Sequence, residues 1–224
     1  MPHRQTLTPV LVPPLGLSGD LRAPSDPSAV VIFAHGSGSS RFSPRNQQVA
    51  EALADAGMAS LMLDLLTERE ARDRNTVFDI DLLAARVVSA IDWARGEPAL
   101  RNLPIGLFGA STGAAAALKA AALRSAQVAA VVSRGGRPDL AEDALGRVTA
   151  PTLLIVGGAD EPVLTWNWQA RLRLAGPSRL SVVPGAPHLF EEPGALDQVI
   201  RLAAIWFAEH LRPTPATRDG APNG

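Results

Sequence analysis

Polar and apolar positions along this chain fall into alternating blocks of two periods. Ala29 to Ala34 is an unbroken run of β-branched, aromatic and small apolar residues, the pattern of a strand buried on both faces. Comparable runs recur at 58–63, 104–108, 128–132, 152–156 and 180–183 and predict further strands. Between them the apolar residues move to helical spacing. Ser43-Pro44 reads as an N-cap with proline at the first helical position, and the helix runs through Val49, Leu53 and Ala56 to a stop at Gly57. Ile80, Leu83, Ala84, Val87, Val88 and Ile91 place a long amphipathic helix over 77–95. Further helices are expected over 112–124, 139–145, 163–175 and 193–211. Residues 6–24 alternate short apolar runs with Pro, Gly and Asp, which predicts antiparallel edge strands around Pro13-Pro14 and Gly19-Asp20. The charged stretch 65–75 carries no strand pattern and reads as a loop with room for a helical turn.

Strands alternating with helices in this order predict an α/β fold: a mostly parallel central sheet, helices on both faces and an antiparallel N-terminal edge. No repeat or linker divides it, so one domain is expected over 1–211. The Pro, Thr, Gly and Asp composition beyond predicts a disordered tail over 212–224. At 224 residues and 46% hydrophobic the chain can bury a substantial core. A formal net charge of −1 gives no electrostatic reason for a nucleic-acid or membrane-surface partner. The absence of cysteine excludes disulfides, thiolate metal sites and a cysteine nucleophile. Pro9, Pro13 and Pro14 interrupt the one candidate signal-peptide core, and no apolar run reaches membrane-spanning length. The expectation is a cytoplasmic protein, monomeric or homodimeric.

Chemistry enters at Ile105-Gly106-Leu107-Phe108-Gly109-Ala110-Ser111-Thr112-Gly113, which leads into an alanine-rich helical run. A strand that reaches Gly-x-Ser-x-Gly and passes straight into a helix is the setting of a nucleophile elbow, which holds a serine hydroxyl exposed on a sharp turn. The motif alone is common. Its strand-to-helix setting is not.

Ligands collect at the carboxyl ends of parallel strands. Beside Ser111, three polar segments occupy such ends: His35 to Arg41, Gly157 to Pro162, and Gly185 to Phe190. An elbow requires an acid and then a histidine in chain order, which Ser111, Asp160 and His188 satisfy. A serine hydroxyl needs a base to take its proton. Imidazole suits that role because it titrates near neutrality, and a carboxylate on the other ring nitrogen fixes the tautomer. Of the four histidines, His3 and His210 lie near the termini and His35 reads as a structural hydrogen-bonder. For the acid, Glu161 competes with Asp160, and the tight Gly-Gly-Ala turn favours Asp160. An oxyanion hole is expected from the backbone N–H of Thr112 and of Ser37, with Gly38 the alternative to Ser37. Read blandly, the 36–40 loop is a glycine-serine turn. It has neither the Lys-Ser/Thr ending of a P-loop nor dinucleotide-fingerprint spacing.

The elbow, His35-Gly36-Ser37-Gly38-Ser39-Ser40-Arg41, Leu63-Asp64-Leu65-Leu66-Thr67, Gly157 to Val163 and Pro187-His188-Leu189-Phe190-Glu191 together resemble the dienelactone hydrolase-like branch of the α/β-hydrolases. The resemblance runs from about residue 10 to residue 211. It implies a compact hydrolase with a Ser/Asp/His triad on the positions named and no large cap domain. The namesake enzymes use cysteine, and serine here shifts the expectation from activated lactones toward general ester hydrolysis. A short chain with no inserted cap suggests an open site that accepts short- and medium-chain esters. Lactones, thioesters and amides remain open alternatives, as does a non-catalytic binding protein of the same fold. Relatives of this type also occur fused to phosphoribosyltransferase domains. No cofactor or metal is implied, and no His/Asp/Glu cluster has ligand spacing. For the substrate pocket the candidates are Gly38, Arg41, Phe42, Trp166 and Phe190. Arg41 and Arg45 suit a substrate carboxylate, although a structural ion pair of either with Asp64 or Glu68 is the commoner arrangement. Trp166 and Trp168 point in different directions, one toward the core and the other toward a pocket near Asp160.

Overall fold

The computed structural model describes residues 5–212. His3 and the expected tail from 213 onward lie outside them. The strands are β1 (Thr6–Val12), β2 (Leu17–Ala23), β3 (Val30–Ala34), β4 (Ala59–Leu63), β5 (Ile105–Ala110), β6 (Val128–Arg134), β7 (Thr152–Gly157) and β8 (Ser178–Val183). The α-helices are α1 (Pro44–Asp55), α2 (Arg74–Val77), α3 (Ile80–Gly96), α4 (Thr112–Leu123), α5 (Glu161–Arg171) and α6 (Ala195–His210). The strands form one sheet in the order β1-β2-β4-β3-β5-β6-β7-β8. Pairing is antiparallel for β1 with β2 and β2 with β4, and parallel from β4 across to β8. No separate cap domain covers it among the described residues.

The period-2 alternation of β3 divides the core. Val30, Ile32 and Ala34 face α3 and α4, where Val87, Ile91 and Leu118 pack. Val31 and Phe33 face α1 and α6, against Val49, Leu53, Val199 and Phe207. The Phe33 and Phe108 rings stack 4.9 Å apart beneath the elbow; burying each side chain contributes about 1.5–3 kcal/mol. Both faces are therefore covered, and the strand ends are left for chemistry. Among the described residues, no helix is long and apolar enough to cross a membrane.

Several boundaries differ from the sequence pattern. Gly19-Asp20 is not a turn. It sits inside β2, opposite Val10 and Pro9 on one side and Leu63 and Met62 on the other, so pairing on both sides outweighs the local turn preference. The long amphipathic helix starts at Ile80 because Asp79 caps it, accepting the Leu82 N–H at 3.0 Å. Val77 instead ends the short helix α2. The segment expected to be helical over 139–145 is 3-10 across Pro138–Arg147, broken where Glu142 takes φ of +50°.

Candidate active site

β5 delivers Ser111 at its carboxyl end with φ 52° and ψ −122°. Such a backbone costs a non-glycine residue about 1–3 kcal/mol and persists only where its surroundings enforce it. They do so here. Ser111 N–H donates to the Arg134 carbonyl at 3.2 Å, while the Ser111 carbonyl accepts from Ala114 N–H at 3.1 Å and Arg137 N–H at 3.0 Å. The flanking glycines permit the turn: a Cβ on Gly109 would strike the Ala114 Cα, and one on Gly113 the carbonyl oxygens of Ala34 and His35.

His188 follows β8 and Asp160 follows β7. The His188 ring meets Ser111 Oγ through Nε2 at 3.3 Å and Asp160 Oδ2 through Nδ1 at 2.7 Å. Asp160 is the N-cap of α5 yet makes no side-chain capping hydrogen bond, which leaves its carboxylate for the imidazole. Exposed Glu161 occupies the first helical position behind it. The two loops are welded by Ala159 N–H donating to the Ala186 carbonyl at 3.0 Å and Gly158 N–H to the Val183 carbonyl at 2.8 Å. A Cβ on Gly157 would collide with the carbonyl oxygens of Ala186 and Pro187. The sequence-selected serine, acid and histidine thus meet in space.

The 36–40 loop lies against the elbow, and Ser37 N–H donates to the Thr112 hydroxyl at 2.9 Å. Thr112 N–H belongs to the first turn of α4, whose amides lack intrahelical acceptors. His35 is buried and pinned: its Nε2 accepts the Leu65 N–H at 3.1 Å, so Nδ1 carries the proton donated to the Gly36 carbonyl at 2.9 Å. Burial holds its pKa below the ordinary histidine value, against smaller opposing contributions from that carbonyl and Asp64.

Two cavities flank this loop and share Gly36, Ser37 and Ser39. One, of about 330 Å³, is walled by Gly38 and by Leu66, Ala71, Val77 and Leu83. The stretch expected to be a plain connection is thus a pocket wall. The other, of about 240 Å³, is lined by Ser111, His188, Arg45, Asn46 and Arg134.

Of the expected pocket residues, Gly38 lines a cavity, whereas Arg41, Phe42, Trp166 and Phe190 line neither. Arg41 donates from its backbone N–H to Asp64 at 2.7 Å, and its guanidinium pairs with Asp64 and Asp20. It also stacks 4.0 Å over the ring of Phe42, which is 61% exposed. Trp166 lies 4.0 Å beneath the Arg137 guanidinium, and Trp168 faces outward. Neither tryptophan enters the core because the inward stripe of α5 is Val163, Asn167 and Ala170 at i, i+4 and i+7. Phe190, 2% exposed, is a core anchor that packs against Gly135 and fixes the loop carrying His188.

Arg134 was not legible as a site residue, because the apolar pattern ends its strand at Val132 and leaves it in a connection. Its position at a parallel strand's carboxyl end was the available signal. It is 7% exposed, and burial, helped by the neighbouring charge of Arg45, lowers its pKa to about 10.

Residues 27–201 match the model of the alpha/beta hydrolase domain family. The chain belongs to this family. A solved dienelactone hydrolase from Anabaena variabilis ATCC 29413 is 52% identical, with a TM-score of 0.90 over 95% of this chain and 100% of that one. This places the chain in the dienelactone hydrolase-like branch. Est1E from Butyrivibrio proteoclasticus shares the fold at 16% identity, with a TM-score of 0.77 over 91% of this chain and 98% of its own. Two proteins of Mycobacterium tuberculosis, strains CDC 1551 / Oshkosh and ATCC 25618 / H37Rv, each named "Putative phosphoribosyl transferase", are 55% identical over 210 residues. Those residues are 94% of this chain, which spans about half, 47%, of the length of these curated relatives.

Proposed function

We propose that this α/β-hydrolase is a serine carboxylesterase that cleaves short- and medium-chain esters through an acyl-enzyme. The observation that carries the reading is Ser111, held at positive φ, within 3.3 Å of His188 Nε2, with Asp160 2.7 Å from Nδ1. His188 takes the Ser111 proton as Oγ attacks the ester carbonyl, and returns it to the departing alcohol oxygen. Asp160 holds the ring in the required tautomer and stabilises the imidazolium. Water activated by the same histidine then releases the acid. The tetrahedral oxyanion takes the Thr112 N–H and, once the Thr112 hydroxyl lets go of it, the Ser37 N–H.

A second reading keeps this machinery and exchanges the ester for a lactone, favoured by the name of the 52%-identical Anabaena relative.

The test is labelling by a fluorophosphonate, read by intact mass, together with ester turnover. Wild type gains one phosphonyl group. Ser111→Ala gains none and loses on the order of a thousandfold or more in kcat with its fold intact. Activity of the variant within tenfold of wild type would end the proposal.

A further inference from the structure

Asn167 is fully buried on α5, the helix that Asp160 caps. Its Nδ2 donates to two carbonyls, that of Val163 one turn back at 2.8 Å and that of Gly136 in the loop after β6 at 2.9 Å. Both acceptors are carbonyl oxygens, so the amide nitrogen and not the amide oxygen has to face them. Oδ1 stays buried with no partner among the described residues, which is costly. The Val163 carbonyl already belongs to the hydrogen-bond ladder of the helix. What this side chain adds is therefore a donor to Gly136. The Gly136 carbonyl and the Arg137 N–H are opposite ends of one trans peptide plane, and that N–H donates to the Ser111 carbonyl at 3.0 Å. The Ser111 carbonyl in turn shares its plane with the Thr112 N–H. Asn167, the 136–137 peptide and the 111–112 peptide thus form one head-to-tail chain of dipoles. A peptide that accepts at its carbonyl becomes a stronger donor at its N–H. The intervening loop is held fast: Gly135 N–H donates to the Ile155 carbonyl at 2.8 Å, and a Cβ on Gly136 would overlap Ser133 Oγ and the Ala114 Cβ.

We infer that Asn167 is a positioning residue that orients and polarises the Thr112 N–H through the 136–137 peptide. The inference rests on Ser111 as the nucleophile and on that N–H as an oxyanion donor. Preorganised donors stabilise the charge that develops on the carbonyl oxygen, and their aim matters as much as their number. On this reading α5 serves both halves of the reaction. Its cap, Asp160, steadies the base, and its buried Asn167 steadies the amide that meets the oxyanion.

The experiment compares wild type with Asn167→Leu, which is similar in size and cannot donate. Asn167→Ser, whose short hydroxyl turns back onto its own helix, serves if the leucine variant fails to fold. Rates on 4-nitrophenyl butyrate are read beside the Ki of a trifluoromethyl ketone. Ser111 Oγ bonds to the ketone carbon, the π pair moves onto oxygen, and His188 holds the displaced proton, so Ki reports the oxyanion site. The variant is expected to lose about tenfold in kcat with KM within about twofold, less than the roughly 100- to 1,000-fold lost with a direct oxyanion donor. Ki is expected to rise by a similar factor, and the acid limb of the kcat/KM profile to stay in place because Asp160 and His188 keep their contact. Unchanged kcat and Ki would overturn the inference. So would a lower kcat with a shifted acid limb and an unchanged Ki, which would assign Asn167 to the acid instead. If wild type hydrolyses no ester and forms no ketone adduct, the esterase reading has failed separately. Amide proton shifts of the full chain then decide the relay: upfield movement of both the Arg137 and Thr112 amides in Asn167→Leu upholds it, and movement of Arg137 alone or of neither overturns it.

Discussion

Two adjacent carboxylates, Asp160 and Glu161, have opposite fates although the sequence offers them side by side. The turn after β7 aims Asp160 at His188, while Glu161 enters the helix and faces solvent. Asp160→Asn is expected to lower kcat on the order of a thousandfold, because an amide cannot support the imidazolium. Glu161→Gln is expected to stay within about threefold, since an exposed side chain contributes little. Steady-state assays of both variants, with His188→Ala as the reference for a lost base, check the assignment. A large loss for Glu161→Gln and a small one for Asp160→Asn would move the acid by one position. Ser111, His188 and Asp160 were legible because each sits in a short motif at a strand end. Arg134 was not, since its distinction is burial without a counter-ion, which no local pattern encodes.

Strand-end loops must also hold one another in place, and His35 shows how. Lying just after β3, it ties the 36–40 loop to the segment after β4 by accepting the Leu65 N–H. Its folded pKa lies below the ordinary 6.5. Between the folded and unfolded values the unfolded chain therefore binds the extra proton. Stability is lost as pH falls from about 6.5 through the lower folded value, and the loss is complete below both. Urea midpoints across this range check it. His35→Asn, which does not titrate, is expected to be less stable at neutral pH but to show a flatter decline on the acid side. An unchanged slope would assign the acid sensitivity elsewhere. The helix boundaries teach a related point. Asp79 ends one helical pattern and starts another, a capping event that hydrophobic periodicity alone reads straight through.

The layered architecture leaves its sites open at one end of the sheet, with no cap domain over the described residues. The larger of the two cavities beside the 36–40 loop, about 330 Å³, has an apolar wall supplied by residues 66–83 and lies across that loop from Ser111. Each acyl methylene that enters it would be worth about 0.8 kcal/mol, so on the proposed function kcat/KM is expected to rise steeply with acyl length while the cavity fills. It is expected to peak on the order of two to eight carbons and then level as the chain reaches solvent. A series of 4-nitrophenyl esters, assayed below and above their solubility limits, tests this. Preference for long-chain emulsified esters, with a rate jump at the interface, would make 65–79 a moving lid rather than a fixed wall.

Fold class, sheet composition, the elbow and the chain order of serine, acid and histidine followed from the sequence itself, because they depend on periodicity, glycine placement and strand-end position within a few neighbouring residues. The pocket did not. Phe190 became a core anchor, Trp166 a partner of Arg137, and Arg41 a neutralised ion pair, while Arg134 emerged beside Ser111. Those outcomes hinge on which side chains from β2, β4, α1, β6 and α5 arrive at the same place, and on whether a charge finds its counter-ion there. Burial and pairing are properties of neighbours in space. Only the packed sheet and its helices specify them.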